Sequence, residues 1–183
     1  MIYNPHYSNA ESSWPRWGRD VLDFFRSSPD YNLIFAPHVV LYSRPLRHRA
    51  RPLRRYRHAS NIYVDTGGLA GSDMSHLLAA DIYLGDVSSQ VYEFLWQPRP
   101  CVFLDAHALR HREPAENLHF WQAGEVVSDL KALPSALERA RCAPNAYRDA
   151  QRKLFAESID HDPDTPAGER AADALAAFLG AGG

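Results

Sequence analysis

The stretch from residue 79 to residue 95, AADIYLGDVSSQVYEFL, has the pattern of a buried strand, a sharp turn and a helix. The apolar run Ile-Tyr-Leu at 82–84 favours a β-strand, and Gly85 and Asp86 end it. Ser88 and Ser89 then stand where a helix N-cap is expected. Three apolar residues that follow fall on one helical face: Val91, Phe94 and Leu95.

The turn in this stretch has the chemistry of an anion site. The first backbone N–H groups of a helix lack partners within the helix and carry partial positive charge, so they bind phosphate. Ser88 and Ser89 are small enough to let an anion approach, and their hydroxyls add donors. We expect this turn to hold the phosphates of a nucleotide-linked substrate, with Asp86 supporting the turn; simple helix capping by the serines is the alternative. Glu93, one helical turn beyond Ser89, is either a ligand of ribose hydroxyls or a surface carboxylate.

Length and composition indicate one globular domain over residues 1–183, because 45% of the residues are hydrophobic and 23% are charged. The formal net charge of −2 gives no reason to expect nucleic-acid binding over the whole surface. Cys101 and Cys142 are typical of a reducing compartment rather than a disulfide scaffold. With neither a signal peptide nor about 20 consecutive apolar residues, a cytoplasmic location with at most peripheral membrane contact is expected.

Predicted strands and helices alternate through the first two-thirds of the chain, and further helices are predicted between about 129 and 180. This alternation favours an α/β, Rossmann-like three-layer domain with a mainly parallel sheet. Ligands gather at the carboxyl ends of the strands in such sheets. Polar or conformationally special residues follow five of the predicted strands: Asn4-Pro5-His6, Pro37-His38, Asp65-Thr66-Gly67-Gly68, Asp86-Val87-Ser88-Ser89 and Asp105.

His38 is the candidate for chemistry at this edge, since an imidazole can donate to a phosphate oxygen or protonate a leaving group. The alternative is a loop histidine bonded to the backbone. His6 is a weaker candidate of the same kind. The other histidines lack the pair spacing of a zinc site and are interpreted as surface or loop residues: His48, His58, His76, His107, His111, His119 and His161. No metal site and no cofactor are expected.

A basic segment is hidden by the mild net charge. No acidic residue occurs from Tyr31 to Val64, and seven arginines lie between Arg44 and Arg57. Three interpretations stay open: a solvated surface, a site for donor or polyanionic acceptor phosphates, and contact with anionic lipid headgroups. The segment has no signature of a nucleic-acid-binding fold.

The chain resembles the C-terminal, donor-binding half of the CDP-glycerol:poly(glycerophosphate) glycerophosphotransferases, which have the GT-B fold. The motifs that carry the resemblance are Asp81-Ile82, Asp86-Val87-Ser88-Ser89, Glu93 and Pro98-Arg99-Pro100-Cys101-Val102-Phe103-Leu104-Asp105. Further matches, in order along nearly the whole chain, are Ile2-Tyr3-Asn4-Pro5, Asn32-Leu33-Ile34 with Pro37-His38, Gly124-Glu125-Val126-Val127, and the helix from Thr165 to Ala172. Departures at Ala36, Val39 and Val87 bear on the identity of the donor more than on the fold.

The resemblance implies roles for particular residues. The turn containing Asp86, Ser88 and Ser89 would bind the donor pyrophosphate, and His38 would act on the transferred phosphate. Further donor-binding residues on this interpretation are Glu93, Asp105, Gly124, Glu125 and His6. Asp105 could equally cap a loop. The resemblance also implies an N-terminal GT-B half, with acceptor contacts and another essential histidine, that this chain lacks.

The expected reaction transfers glycerol phosphate from CDP-glycerol to a hydroxyl of a polyol-phosphate or glycan acceptor, as in teichoic-acid-type polymer synthesis at the inner face of the cell membrane. Two alternatives stay open from the sequence. One is half of a nucleotide-sugar glycosyltransferase or UDP-sugar 2-epimerase, which share the architecture. The other is a non-catalytic nucleotide-binding module.

Overall fold

The computed structural model describes residues 1–42, 53–67, 73–111 and 120–180. Six short strands of this part form one sheet: β1 (Ile2–Asn4), β2 (Leu33–Phe35), β3 (Ile62–Val64), β4 (Tyr83–Gly85), β5 (Cys101–Leu104) and β6 (Glu125–Val127). The strand order is β3-β2-β1-β4-β5-β6, and every neighbouring pair is parallel. This is the order of a doubly wound Rossmann sheet, so the predicted α/β fold is confirmed.

Six α-helices accompany the strands in the described part of the chain: α1 (Trp14–Arg26), α2 (Ser75–Ala79), α3 (Gln90–Phe94), α4 (Leu133–Cys142), α5 (Arg148–Ser158) and α6 (Ala167–Gly180). Short 3-10 turns lie at Val39–Tyr42, Leu109–His111, Phe120–Gln122 and Leu130–Ala132. None of the described helices combines the length and the apolar character that crossing a bilayer requires.

The core has two parts, one on each face of the sheet. On one face, Tyr3 and Leu84 pack with buried residues of α1 and α4, among them Val21, Phe25 and Leu137. The opposite face has its own set, from the strands and from α2, α3 and α5: Ile2, Tyr83, Leu77, Val91, Phe94 and Leu154. Successive strand residues therefore alternate between the two helical layers, as the period of an extended chain requires.

The strand order reverses between β1 and β4, which lie side by side at the centre of the sheet. The chain leaves β1 toward α1 on one face and leaves β4 toward α3 on the other. A crevice opens where two such connections diverge, and Rossmann-type domains bind ligands there. We call the edge formed by the carboxyl ends of the strands the carboxyl edge.

Two local differences from the sequence prediction have physical reasons. β4 is Tyr83–Gly85, so Gly85 belongs to the strand rather than ending it. A Cβ at Gly85 would lie 2.5 Å from the Asn4 carbonyl oxygen, so the close approach of β1 and β4 requires glycine. The sequence also predicts a helix that Ser72 caps and that runs through Met74, Leu77 and Leu78. In the structure this helix, α2, begins at Ser75, after Met74 in the left-handed region with φ of 64°. Ser72 itself lies outside the described residues.

Helix α6 differs from the other long helices, because it buries none of its residues. Three large apolar side chains near its C-terminal end are mostly exposed: Leu175, Phe178 and Leu179.

Gly124, directly before β6, is a second glycine that packing requires. A Cβ there would lie 2.4 Å from the carbonyl oxygen of Cys101, a backbone atom that has little room to move. We expect Gly124→Ala to destabilise the domain by about 1–3 kcal/mol, the usual cost of overpacking. Gly168→Ala in α6 is the matched control, since its Cβ would meet no atom within 4 Å. Urea denaturation followed by tryptophan fluorescence measures both; equal midpoints for the two variants would contradict the close contact.

Candidate functional site

A buried carboxylate joins the two connections that diverge at the centre of the carboxyl edge. Asp86, directly after β4, is 2% exposed. Its Oδ2 accepts a hydrogen bond from the backbone N–H of His6 at 2.8 Å, and both carboxylate oxygens lie 2.9 Å from the backbone N of Ser13. Asp86 therefore fixes the β1–α1 connection against β4. It supports the site rather than facing a ligand.

The same contact occupies the N-terminus of α1. Ser13 is the N-cap residue, and its Oγ lies 2.9 Å from the hydroxyl oxygen of Tyr3. Ser12 Oγ accepts from the backbone N–H of Trp14 at 3.2 Å. In Rossmann dinucleotide-binding folds, pyrophosphate takes the position at the first helix that the Asp86 carboxylate takes here. Of the two connections at the centre of the sheet, this leaves the one after β4 as the candidate for phosphate.

The β4–α3 turn, residues 86–89, presents polar groups that the fold does not use. Ser89 is the N-cap residue of α3, yet its side chain makes no capping hydrogen bond. Ser88 Oγ is buried beside the Tyr83 hydroxyl, but it makes no well-aligned hydrogen bond with any described residue. The Tyr83 hydroxyl donates to the carbonyl oxygen of Asp86 at 3.0 Å and fixes the turn. Burial raises the pKa of Tyr83, so this donor keeps its proton. Capping does not account for the two serines.

His6 and His38 lie together at the carboxyl edge. The backbone N–H of His38 donates to the carbonyl oxygen of Pro5 at 3.2 Å and links the ends of β1 and β2. The two imidazole centroids are 6.3 Å apart. The ring of Tyr7 contacts both, at 4.5 Å from His6 and 4.7 Å from His38. The edge that the sequence predicts for these histidines is the edge on which they lie.

The environment of His38 sets the state of its imidazole. Burial, and then the neighbouring His6, lower the pKa of His38 below its usual value, so the ring is neutral at neutral pH. Its Nδ1 accepts from the backbone N–H of Val40 at 3.3 Å. The proton of the neutral ring therefore lies on Nε2, which is available as a donor. Nδ1 thus has the backbone hydrogen bond of an ordinary loop histidine, and Nε2 has no hydrogen-bond partner among the described residues.

His6 makes two contacts through Nδ1. The nitrogen accepts from the backbone N–H of Ser8 at 3.1 Å and lies 3.0 Å from Oε2 of Glu11. Both contacts lie within the β1–α1 connection, so residues close in sequence hold the His6 ring in place.

Asp105, directly after β5, has different surroundings at its two carboxylate oxygens. Its Oδ1 accepts from the backbone N–H of Leu109 at 2.6 Å and so caps the following loop. Its Oδ2 is buried and has no partner among the described residues, although Asp105 is only 3% exposed.

The remaining predicted residues are not brought to these groups. Gly124 and Glu125 stand at the amino end of β6, on the edge opposite to the histidines, because Glu125 is the first residue of that strand. The Glu125 carboxylate accepts from Arg139, with Nη2–Oε2 of 2.7 Å, and from the Tyr147 hydroxyl at 3.0 Å. Glu93 lies on α3 with its side chain exposed.

An Asp–His pair at the carboxyl edge was missed by sequence reasoning. His76, interpreted as a surface or loop residue, is buried on α2, and its Nε2 lies 2.7 Å from Oδ2 of Asp65. That interpretation was wrong, because the pairing of His76 with Asp65 depends on the residue at which α2 begins. Met74 lies in the left-handed region, so α2 begins only at Ser75. The available signal was Asp65 at a strand end, eleven positions before a histidine in the next helix.

Unpaired polar atoms concentrate at this edge. In the described part of the chain, four buried side-chain oxygens lack a hydrogen-bond partner, and three lie at the starts of the connections after β4 and β5: Ser88 Oγ, Gln90 Oε1 and Asp105 Oδ2. The fourth belongs to Gln151 on α5. Each such atom costs about 1–3 kcal/mol unless a partner is supplied. Such a concentration at the carboxyl edge indicates a binding surface.

The basic segment is described only in part, because residues 43–52 lie outside the described ranges, and with them Arg44, Arg47, Arg49 and Arg51. Of the rest, Arg55 pairs with Asp23 at 2.6 Å, and Arg57 donates to Thr66 Oγ1 at 3.3 Å. Among the described residues, no three His, Cys, Asp or Glu side chains form a group that could hold a metal ion.

Comparison of the chain with models of protein families gives no match, and comparison with curated proteins gives no significant one. Fold and site geometry are therefore the observations on which a function can be based.

The titration of Asp86 gives a test of its position. Burial raises the pKa of this carboxyl from 3.8 to about 7, against the opposing effect of the N–H donors from His6 and Ser13. The folded state therefore holds a proton that the unfolded chain has already released, and stability falls as pH rises between these values. We expect the loss to approach about 1.4 kcal/mol per pH unit relative to Asp86→Asn, which has no proton to lose.

Urea denaturation of both proteins at pH 5, 6, 7 and 8 measures the difference. Parallel stability curves for wild type and Asp86→Asn would contradict the burial of the carboxyl group.

Proposed function

We propose that the chain is the donor-binding half of a glycerophosphotransferase that moves glycerol phosphate from CDP-glycerol to an acceptor hydroxyl. The observation that carries the proposal is the concentration of unpaired buried oxygens at the carboxyl edge, beside the point where the strand order reverses. Ser88 and Asp105, which hold two of these atoms, belong to the motifs on which the family resemblance rests. The choice of CDP-glycerol among nucleotide-linked donors follows from that resemblance.

The β4–α3 turn would hold the diphosphate. Ser88 Oγ and the exposed hydroxyl of Ser89 are suited to donate to phosphate oxygens, and no described acceptor takes the backbone N–H of either residue. Because α3 is only five residues long, these local donors matter more than its dipole. Donors that are fixed before the ligand arrives stabilise charge without reorganising.

His38 would act on the transferred phosphate. An acceptor hydroxyl attacks the phosphorus that bears glycerol, a new P–O bond forms, the bond to the CMP oxygen breaks, and the hydroxyl proton is released. The neutral His38 can donate from Nε2 to an oxygen of that phosphate as the geometry changes. The phosphate charge in turn favours a protonated His38, in which Nδ1 gives up the hydrogen bond from Val40 while the contact from Nε2 to the phosphate is strengthened.

A second domain would complete the active site. The cleft beside Gln90 has a closed volume of about 20 Å³, whereas small-molecule sites typically enclose about 300–1,000 Å³. A nucleotide diphosphate on this edge would remain largely uncovered until another surface closed over it. The N-terminal GT-B half is the surface we propose, with the acceptor presented at the inner face of the membrane.

Ser88→Ala separates binding from stability. The substitution removes a buried hydroxyl that lies beside Tyr83 without a well-aligned hydrogen bond to any described residue, so the free energy of unfolding should change little. Affinity for CDP-glycerol should fall by about tenfold, because a hydrogen bond to a charged phosphate is lost.

Calorimetry with CDP-glycerol, a UDP-sugar and CDP tests this prediction and the donor together. Tight UDP-sugar binding without CDP-glycerol binding would favour the glycosyltransferase or epimerase alternative. Unchanged CDP-glycerol affinity in Ser88→Ala would contradict the assigned turn.

The lowered pKa of His38 predicts that ligand binding is coupled to proton uptake. Since its pKa is lowered in the free domain and a bound diphosphate raises it, CDP-glycerol binding should take up protons and should tighten as pH falls toward 6. Calorimetry in two buffers of different ionisation enthalpy measures the uptake. It should disappear in His38→Ala and persist in His58→Ala, an exposed histidine before the amino end of β3. Equal uptake in both variants would exclude His38 as the group that titrates.

A further inference from the structure

A narrow cleft lies between the carboxyl ends of β1–β3 and the helices α2 and α3. The residues that line it include Asn4, Pro37, Asp65, His76 and Gln90. The part of the cleft that a water-sized group can occupy has a volume of about 20 Å³, which is room for one such group. We call this part the closed end. The rest opens to solvent. The family resemblance assigns no role to Asp65, His76 or Gln90.

The Asp65–His76 pair fixes the imidazole in the cleft wall. Asp65 Oδ2 lies 2.7 Å from His76 Nε2, and Asp65 Oδ1 accepts from the backbone N–H of Gly67 at 2.9 Å. A carboxylate partner keeps the proton of a neutral imidazole on the nitrogen it contacts. The lone pair is then on Nδ1 of His76, to which no described residue donates a hydrogen bond.

Gln90 supplies a second acceptor. Its Oε1 is buried and has no hydrogen-bond partner among the described residues, although Gln90 lines the cleft. Asn4, also in the wall, is already engaged, since its Nδ2 donates to the carbonyl oxygen of Ala36 at 2.7 Å. The unused polar group of the cleft is therefore the Gln90 amide, and a group that donates a hydrogen bond would satisfy its buried oxygen.

We propose that the closed end of the cleft binds one hydroxyl group of the donor's ribose or polyol, which donates to Oε1 of Gln90 beside the His76 imidazole. The proposal rests on the proposed function for the identity of the larger ligand. A phosphate is too large for the closed end, and the Asp65 carboxylate disfavours an anion there. A hydroxyl both donates and accepts, so it pairs with the Gln90 amide in either of its two orientations.

The position of the cleft fits a sugar or polyol next to phosphate. Gln90 follows Ser89 in the β4–α3 turn, and Pro37 in the opposite wall precedes His38. The cleft thus lies between the two groups proposed to contact the phosphates. Hydroxyls of the ribose and of the glycerol are both a few bonds from those phosphates, so either is within reach.

The test uses Gln90→Met, which keeps the side-chain length and removes the acceptor. Gln97→Met, an exposed glutamine outside the cleft, is the matched control. The probes for the ribose are CDP and its 2′-deoxy and 3′-deoxy forms. For the polyol, the probes are CDP-glycerol and its two analogues that lack one glycerol hydroxyl. Calorimetry gives the affinity of wild type and both variants for each probe.

We expect one deoxy probe to bind wild type about five- to tenfold more weakly than its parent. The same ratio is expected in Gln97→Met, and a ratio near one in Gln90→Met. Gln90→Met should also be at least as stable as wild type, because it removes an unpaired buried oxygen. The probe that shows the effect identifies the ribose or the glycerol as the source of the hydroxyl.

Two results would overturn the proposal while leaving the proposed function intact: equal affinity of wild type for every deoxy probe and its parent, or full discrimination in Gln90→Met. In the first case the cleft holds water only.

If wild type binds none of the nucleotides, the proposed function fails. NMR of the His76 imidazole with ribose or glycerol at millimolar concentration then tests separately whether the cleft binds a hydroxyl group. A saturable shift in wild type that is absent in Gln90→Met would support the hydroxyl site, and unchanged signals with both compounds would exclude it.

Discussion

The contact between the Asp86 carboxylate and the backbone N–H groups of His6 and Ser13 is the constraint on which the site depends. The chain leaves β1 and β4 toward opposite faces of the sheet, and sheet hydrogen bonds alone do not fix where two such connections go. Asp86 belongs to the connection after β4 and accepts hydrogen bonds from the connection after β1. Its buried carboxylate therefore fixes the positions of both connections. Removing a carboxylate from water is expensive, and the N–H donors offset part of that cost. The orientation of α1 and the position of the histidines follow from this contact.

One consequence is that the polar groups at the start of α1 have partners within the protein, whereas those at the start of α3 do not. At α1 the Asp86 carboxyl group takes the place of a bound ligand, so the backbone N–H of Ser13 has an acceptor within the protein. At α3 the polar groups are left unsatisfied, Ser88 Oγ and Gln90 Oε1 among them. The fold is therefore complete on one side of the crevice and incomplete on the other. Proteins tolerate such unpaired groups where a ligand supplies the missing partner.

The sequence predicts those features that depend on local pattern. Alternating strands and helices give the parallel sheet, and residues directly after strands, such as His38 and Asp105, fall on one edge whatever the details of packing. Glu125 shows the limit of such prediction. Because β6 has only three residues, a shift of its bounds by two positions decides at which edge of the sheet the Glu125 carboxylate lies. The Asp65–His76 pair depends on helical phase, which a single left-handed residue, Met74, resets. The tie between Asp86 and His6, 80 positions apart, has no local signal at all.

Because of helix α6, the chain does not unfold as one cooperative unit. It buries none of its residues, and isolated helices of about this length are marginal in water. Its amide protons should exchange with solvent at rates close to those of a free peptide, whereas the amides of β1 and β4 exchange only when the whole sheet opens. Far-UV circular dichroism would therefore record two processes on heating, a gradual loss from α6 and a sharp loss from the domain. Tryptophan fluorescence would follow only the second, because none of the four tryptophans lies in α6.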